Sequence, residues 1–264
     1  MRVGVSTACL YPDLLEDSLL KLMVSGVNHV EIFANTDSEV EKKFVFGMAD
    51  TLKRYNATCK SLHPYTCAME PMMFFSGYKR RVDDVLEYYK RYFEAMNILG
   101  AEVFVFHGNK AVLQTPDELY FEVFSRLVGV GKEFGVTVAQ ENVSRCQSST
   151  LKFQKAMCKA LGEDAKFVLD TKQAIRSDEN PFETVRELGR HIVHVHLSDY
   201  GKKGDCLPIG DGEFDIKRFL TLLENVGYDG SVMLELYRHN FIDVKELADD
   251  FNILKELVKS IKEA

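Results

Sequence analysis

Apolar and polar positions along the chain switch repeatedly between two periods. Short runs rich in β-branched and aromatic residues are followed by a turn, then by a longer stretch in which apolar side chains recur every three or four residues. The short runs are RVGVST (2–7), HVEIF (29–33), TCKSLH (58–63), EVFVFH (102–107), TVAQENV (137–143), KFVLDT (166–171), IVHVHLSD (192–199) and SVMLELY (231–237), and each predicts a strand. Between them the spacing predicts amphipathic helices: Val82, Val85, Leu86, Tyr89, Phe93 and Met96 form one stripe, and Leu247, Phe251, Leu254 and Ile261 another. TPDE (115–118) reads as a helix start with Thr115 as cap, Pro116 in first position and Glu118 in third, and NPFE (180–183) repeats it. LGAE (99–102) and FGVT (134–137) place glycine where a helix ends before the next strand. Eight strands alternating with eight helices, without a linker-like stretch, predict one (β/α)8 TIM-barrel domain over residues 1–264. A doubly wound open sheet is the alternative, and no GxGxxG follows the first strand to favour it.

Composition narrows the class without changing the picture. At 264 residues, with 46% hydrophobic and 28% charged residues, the chain can bury a large core. No apolar run approaches the ~18 residues of a membrane span, and the start, MRVGVSTACLYPD, lacks the apolar core of a signal peptide. Six cysteines, none in a CxxC pair, read as reduced and mostly buried thiols, so a cytoplasmic protein with no membrane partner is expected. The net charge of −7, without a long basic run, argues against nucleic acid as a partner.

Candidate chemistry lies at the strand ends. In a (β/α)8 barrel the C-terminal ends of the strands face one shared cup. Here six consecutive ends carry His63, His107, Glu141, Asp170, His196 and Glu235, all able to ligate a metal. One such Asp is commonly the cap of the next helix. Six at equivalent positions are not explained by capping, and converging carboxylates repel one another unless a cation lies among them. Three carboxylates with one imidazole suit one divalent metal, leaning to Mn²⁺, with Mg²⁺, Co²⁺ or Zn²⁺ as alternatives. His194 and His196 point to the same side of their strand, and His196 is nearer the rim, which leaves His194 a supporting role. His29, His191 and His239 are expected to serve the surface or packing.

The motifs SLHPY (61–65), VFHG (105–108), QENV (140–143), VLDT (168–171), HVHLSD (194–199), PIGDGEFD (208–215) and MLEL (233–236) resemble the xylose-isomerase-like TIM-barrel superfamily. It contains sugar phosphate isomerases and epimerases together with metal-dependent abasic-site endonucleases. For epimerase-like members the resemblance implies a metal held by Glu141, Asp170, His196 and Glu235. It further implies that Glu141 and Glu235 exchange a substrate proton next to a carbonyl through an enediolate, while His63 and His107 bind hydroxyls or polarise the carbonyl oxygen. The endonuclease branch would need a His where this chain has Gln173, and another where it has Leu207. Its three-zinc site is therefore incomplete, and a DNA-repair role is not expected. Epimerase-like members commonly carry Gly-His where Lys172-Gln173 stands. Gln173 is read as a hydroxyl ligand. Lys172 is read either as a charge for an anionic substrate or as a solvated loop lysine.

The expectation is therefore a carbohydrate isomerase or epimerase acting on a sugar or sugar phosphate. A metal-dependent dehydratase of a polyol or keto-inositol, and a non-catalytic ligand-binding barrel, are the alternatives. The Met- and Phe-rich stretch 64–78 reads as a lid, as a contact in a homo-oligomer, or as extra core.

Overall fold

Each apolar run forms a strand in the structure, a computed structural model that describes residues 1–263. In chain order these are β1 (Arg2–Ser6), β2 (His29–Ala34), β3 (Thr58–Pro64), β4 (Val103–Phe106), β5 (Thr137–Glu141), β6 (Phe167–Asp170) and β7 (Ile192–Leu197). A two-stranded hairpin follows, β8 (Asp199–Gly201) and β9 (Gly204–Leu207), and β10 (Ser231–Leu234) completes the set. The eight long-range strands close into a parallel barrel, β1-β10-β7-β6-β5-β4-β3-β2, sealed where Arg2 to Val5 pair with Ser231 to Leu234. The hairpin was not foreseen in the pattern of residues.

Helices α1 (Leu15–Val24), α2 (Lys42–Arg54), α4 (Lys79–Leu99), α5 (Asp117–Glu133), α6 (Leu151–Leu161), α8 (Pro181–Leu188), α9 (Ile216–Asn225) and α10 (Val244–Lys262) connect the strands. Two short helices are additional, α3 (Glu70–Phe75) and α7 (Thr171–Arg176). All six residues of the first predicted stripe are buried on α4, and the left-handed Gly100 (φ +71°) ends that helix. Asn180 caps α8 by accepting from the Phe182 N–H at 2.9 Å. Thr115 does not cap α5. Its Oγ1 instead accepts from Asn109 Nδ2 at 2.7 Å, and Pro116 stands at the cap position.

Strand alternation sorts side chains between two layers. On β4, Phe104 and Phe106 join the large core between strands and helices, whereas Val103 and Val105 turn inward. Val103, Val105, Ala139 and Val168 form a small apolar plug inside the barrel. Two residues beyond Val105, Ala139 and Val168, the same inward face presents His107, Glu141 and Asp170. The cup is thus built on a packed floor.

Stretch 64–78 is core in part, with Pro64, Thr66, Glu70, Pro71, Phe74 and Phe75 buried and Met69 and Tyr78 exposed. Phe74 packs edge-on against Tyr89 (5.1 Å) and Phe106 (5.2 Å), and the buried Glu70 carboxylate accepts from Gly108 N at 2.6 Å, while Met72 is left exposed. The PIGDGEFD turn is organised by Asp199, which accepts backbone N–H groups from Tyr200, Gly210, Gly212 and Phe214 at 2.7–3.1 Å. A side chain at Gly212 would place Cβ 2.3 Å from Asp199 Oδ1, so only glycine fits. The cysteines are free thiols, four of them buried. Among the described residues no helix is long and apolar enough to cross a membrane.

Candidate metal centre

The six strand-end residues converge. Glu141, Asp170, His196 and Glu235 each offer one ligand atom, and these four atoms lie within 4.8 Å of one another. His196 is the hub: its Nδ1 lies 3.3 Å from Glu141 Oε1 and 3.4 Å from Glu235 Oε2. His63 and His107 stand beside them with their Nε2 atoms 2.7 Å apart, so one ring donates to the other. His107 Nε2 is also 2.9 Å from Glu141 Oε2, and His63 Nδ1 is 3.9 Å from Glu235 Oε1. A cleft of about 620 Å³ lies at the opposite end of the barrel between β1 and α10, lined by residues such as Lys255 and Lys259. Convergent chemistry, not cleft size, marks the cup.

Glu31 was missed by sequence reasoning. It sits in the middle of β2 and is completely buried, yet the run HVEIF offers no strand-end signal for it. Its Oε2 accepts from His196 Nε2 (3.1 Å), His194 Nε2 (3.1 Å) and Ser61 Oγ (2.7 Å), and its Oε1 from Ser6 Oγ (3.0 Å). With Nε2–H of His196 committed to Glu31, Nδ1 is the nitrogen turned to the other carboxylates. His194 has the supporting place expected of it. The one available clue was a charged residue in an otherwise apolar strand, which is costly unless paired. Of the remaining histidines, His29 is buried at the barrel floor between Thr58 Oγ1 (2.6 Å) and Ser231 Oγ (2.8 Å), and His191 bonds the Ala165 carbonyl.

Asp170 serves two purposes at once. Oδ1 accepts from Gln173 N at 2.9 Å and caps α7, while Oδ2 faces the cup, accepts no hydrogen bond and lies 3.3 Å from Lys172 Nζ. Lys172 is not a solvated loop lysine: the first turn of α7 folds it inward, leaving its side chain 5% exposed. Its ammonium donates to Glu235 Oε2 at 3.1 Å and lies 4.9 Å from the centre of the Tyr237 ring. Gln173 spends Oε1 on the Ser144 N–H (3.0 Å), tying α7 to the loop after β5. Asp205, which precedes Leu207, is held by Arg176 Nε and Nη2 at 2.5 and 2.8 Å. At the two positions where the endonuclease branch would need histidine, Gln173 is an amide and Leu207 an isobutyl group.

Burial opposes charge throughout the cup, and the partners decide each outcome. Burial raises Glu141, yet His107 and His196 hold its carboxyl well below the usual range. Burial likewise acts on Glu31 and Glu235, and the former is held well down by His196 and His194, the latter down chiefly by Lys172 and then His196. Asp170 behaves differently: burial, with Glu235 and Glu141 adding to it, pushes it up to about 7 despite Lys172. Desolvation lowers His63 to about 4, with His107 beside it contributing. His196 is raised well above the usual imidazole value against the effect of burial, by Glu31 and Glu235.

The donor set fits a divalent ion. Ligands about 2.1 Å from a metal lie up to about 4.2 Å apart, so the four atoms need little closure. Asp170 Oδ2 is a buried oxygen without a donor, and His196 already carries the carboxylate partner that metal-bound histidines usually have.

A family model described as xylose isomerase-like TIM barrel matches residues 24–262. An uncharacterized protein of Methanocaldococcus jannaschii is 24% identical over 282 residues, covering 100% of this chain and 91% of its own length. Among solved structures, a D-tagatose 3-epimerase-like protein aligns with a TM-score of 0.81 at 21% identity, covering 100% of this chain and 99% of that one. The IolI protein, solved with a binding zinc atom, aligns with a TM-score of 0.79 at 17% identity over 99% of both chains. At such identities these two likenesses speak to the fold.

Proposed function

The chain belongs to the xylose isomerase-like TIM-barrel family, and from that premise we propose that it is a divalent-metal-dependent isomerase or epimerase of a sugar or sugar phosphate. One observation carries the reading: two carboxylates from the ends of different strands, Glu141 and Glu235, approach the same nitrogen of His196, each within 3.4 Å of Nδ1. Glu141, Asp170, His196 and Glu235 would hold the ion, which when bound acts as a Lewis acid on a carbonyl and its neighbouring hydroxyl. The epimerase-like and zinc-bound neighbours support a carbohydrate and a metal as the partners. The identity of the metal, Mn²⁺ by preference of this oxygen-rich set, is part of the proposal.

The chain's own residues divide the remaining work. Glu141 removes or returns a proton on one side of the substrate carbon, and Glu235 does so on the other. Glu235 is the more accessible of the two, with 12% of its side chain exposed against 2% for Glu141. His63 and His107, beside these carboxylates, orient hydroxyl or carbonyl oxygens of a bound sugar once their mutual hydrogen bond opens. The Phe33 ring, nearly perpendicular to the His63 ring with centres 4.7 Å apart, packs against that imidazole.

The test is proton–deuterium exchange. Purified protein loaded with Mn²⁺ is incubated in D₂O with a panel of ketoses and their phosphates. Incorporation of one deuteron with a product of otherwise unchanged mass is expected. Loss of water would assign a dehydratase instead, and absence of exchange on every substrate would leave only the binding-barrel alternative.

A further inference from the structure

The proposed metal site contains a cation of its own. Lys172 Nζ lies 3.3 Å from Asp170 Oδ2 and 3.1 Å from Glu235 Oε2. These are two of the four groups assigned to the metal, and Glu235 Oε2 is the same oxygen that lies 3.4 Å from His196 Nδ1. The lysine is nearly buried in this position, its side chain 5% exposed and the Tyr237 ring beside the ammonium. A dication drawing both carboxylates to itself would remove the partners of Lys172 and leave a like charge a few ångströms away, a strong repulsion in a buried site.

We propose that Lys172 is an internal counter-cation that competes with the metal for Asp170 and Glu235, so that it stabilises the metal-free cup and weakens metal binding. This rests on the reading of Glu141, Asp170, His196 and Glu235 as metal ligands. Neutralising Lys172 removes the competitor, leaves Asp170 without its adjacent ammonium and leaves Glu235 with His196 as its nearest cation, so affinity for the metal rises while the metal-free protein loses stability. The same charge makes the ion exchangeable, because displacement by the lysine is built into the site.

The experiment uses the full chain stripped of metal by chelation, titrated with Mn²⁺ by calorimetry and melted with and without it. Lys172→Met is expected to bind Mn²⁺ at least about tenfold more tightly than wild type, to melt lower without metal, and to gain more from its addition. Lys172→Arg, which keeps the charge, is expected to stay near wild type in affinity. If the Met variant does not fold without metal, Lys172→Gln carries the same expectation, since its amide donates hydrogen bonds without a charge. Wild-type affinity in a folded neutral variant, or weaker binding, overturns the competition while leaving the metal reading intact. No Mn²⁺ binding by any of the proteins overturns both.

Discussion

Two halves of the cup hold their acidic groups by different means. On one side Glu141 and His196 are fixed by neighbours on other strands: Glu31 takes the far nitrogen of His196, and His107 stands 2.9 Å from Glu141. On the other side Asp170 and Glu235 share one flexible ammonium, that of Lys172. The first half is preorganised by short imidazole–carboxylate contacts among inflexible side chains. The second is balanced by a long side chain that can move. Geometry in the first half therefore persists whatever occupies the cup, whereas in the second it depends on which cation is present.

The comparison breaks most visibly at the paired carboxylates. Glu141→Gln and Glu235→Gln keep size but remove the base, so each is expected to lower deuterium exchange by about 10³-fold or more, whereas Glu→Gln at surface acids should change it little. A Glu235→Gln enzyme that still exchanges at half the wild-type rate would remove that residue from the chemistry.

Glu31 tests how far the rigid half depends on its support. Glu31→Gln keeps the hydrogen-bonding outline but not the charge, and Mn²⁺ affinity should fall about 10- to 100-fold. Glu31→Ala strands the imidazoles and should cost about 3–5 kcal/mol in chemical denaturation. If Glu31→Gln binds metal as wild type does, the orientation of His196 does not need that carboxylate.

The barrel floor supplies a region that the metal does not touch. Burial lowers His29 from its ordinary 6.5 to about 4, helped by His194 and Arg2. The unfolded chain then binds the extra proton first, so this group's contribution is present above pH 6.5 and is lost as pH falls from about 6.5 towards 4. Denaturation of His29→Gln across that range should show a flatter acid limb than wild type, and the difference should be the same with and without Mn²⁺. A difference that vanished on metal addition would mean that the floor and the cup are coupled.

The smallest effect is expected at the seam between the halves. Gln173→Ala removes the acceptor for Ser144 N–H and should cost about 1 kcal/mol, with exchange rates changed only slightly. A large loss of exchange with intact stability would assign Gln173 the role of substrate ligand.

Much of the fold was legible because its signals are local. Short runs of β-branched and aromatic residues placed every barrel strand, and glycine at position 100 marked a helix end. Thr115 shows the limit: TPDE is a good cap by pattern, but Asn109 claims the hydroxyl through a loop contact that no local rule contains. The PIGDGEFD turn shows the same limit, since Asp199, on β8, organises it from a distance through the N–H groups of Gly210, Gly212 and Phe214.

By itself the sequence determined the repeat of strand and helix, and with it the ring of His63, His107, Glu141, Asp170, His196 and Glu235. Both follow from period-two and period-3.6 patterning, which any short segment carries. Only the closed barrel decided what surrounds that ring. Glu31 meets His196 across 165 residues of chain, and Lys172 becomes a buried counter-ion only because α7 turns it towards β10. The energy of a buried charge depends on the distance and polarity of its neighbours, and those exist only once distant strands are brought together.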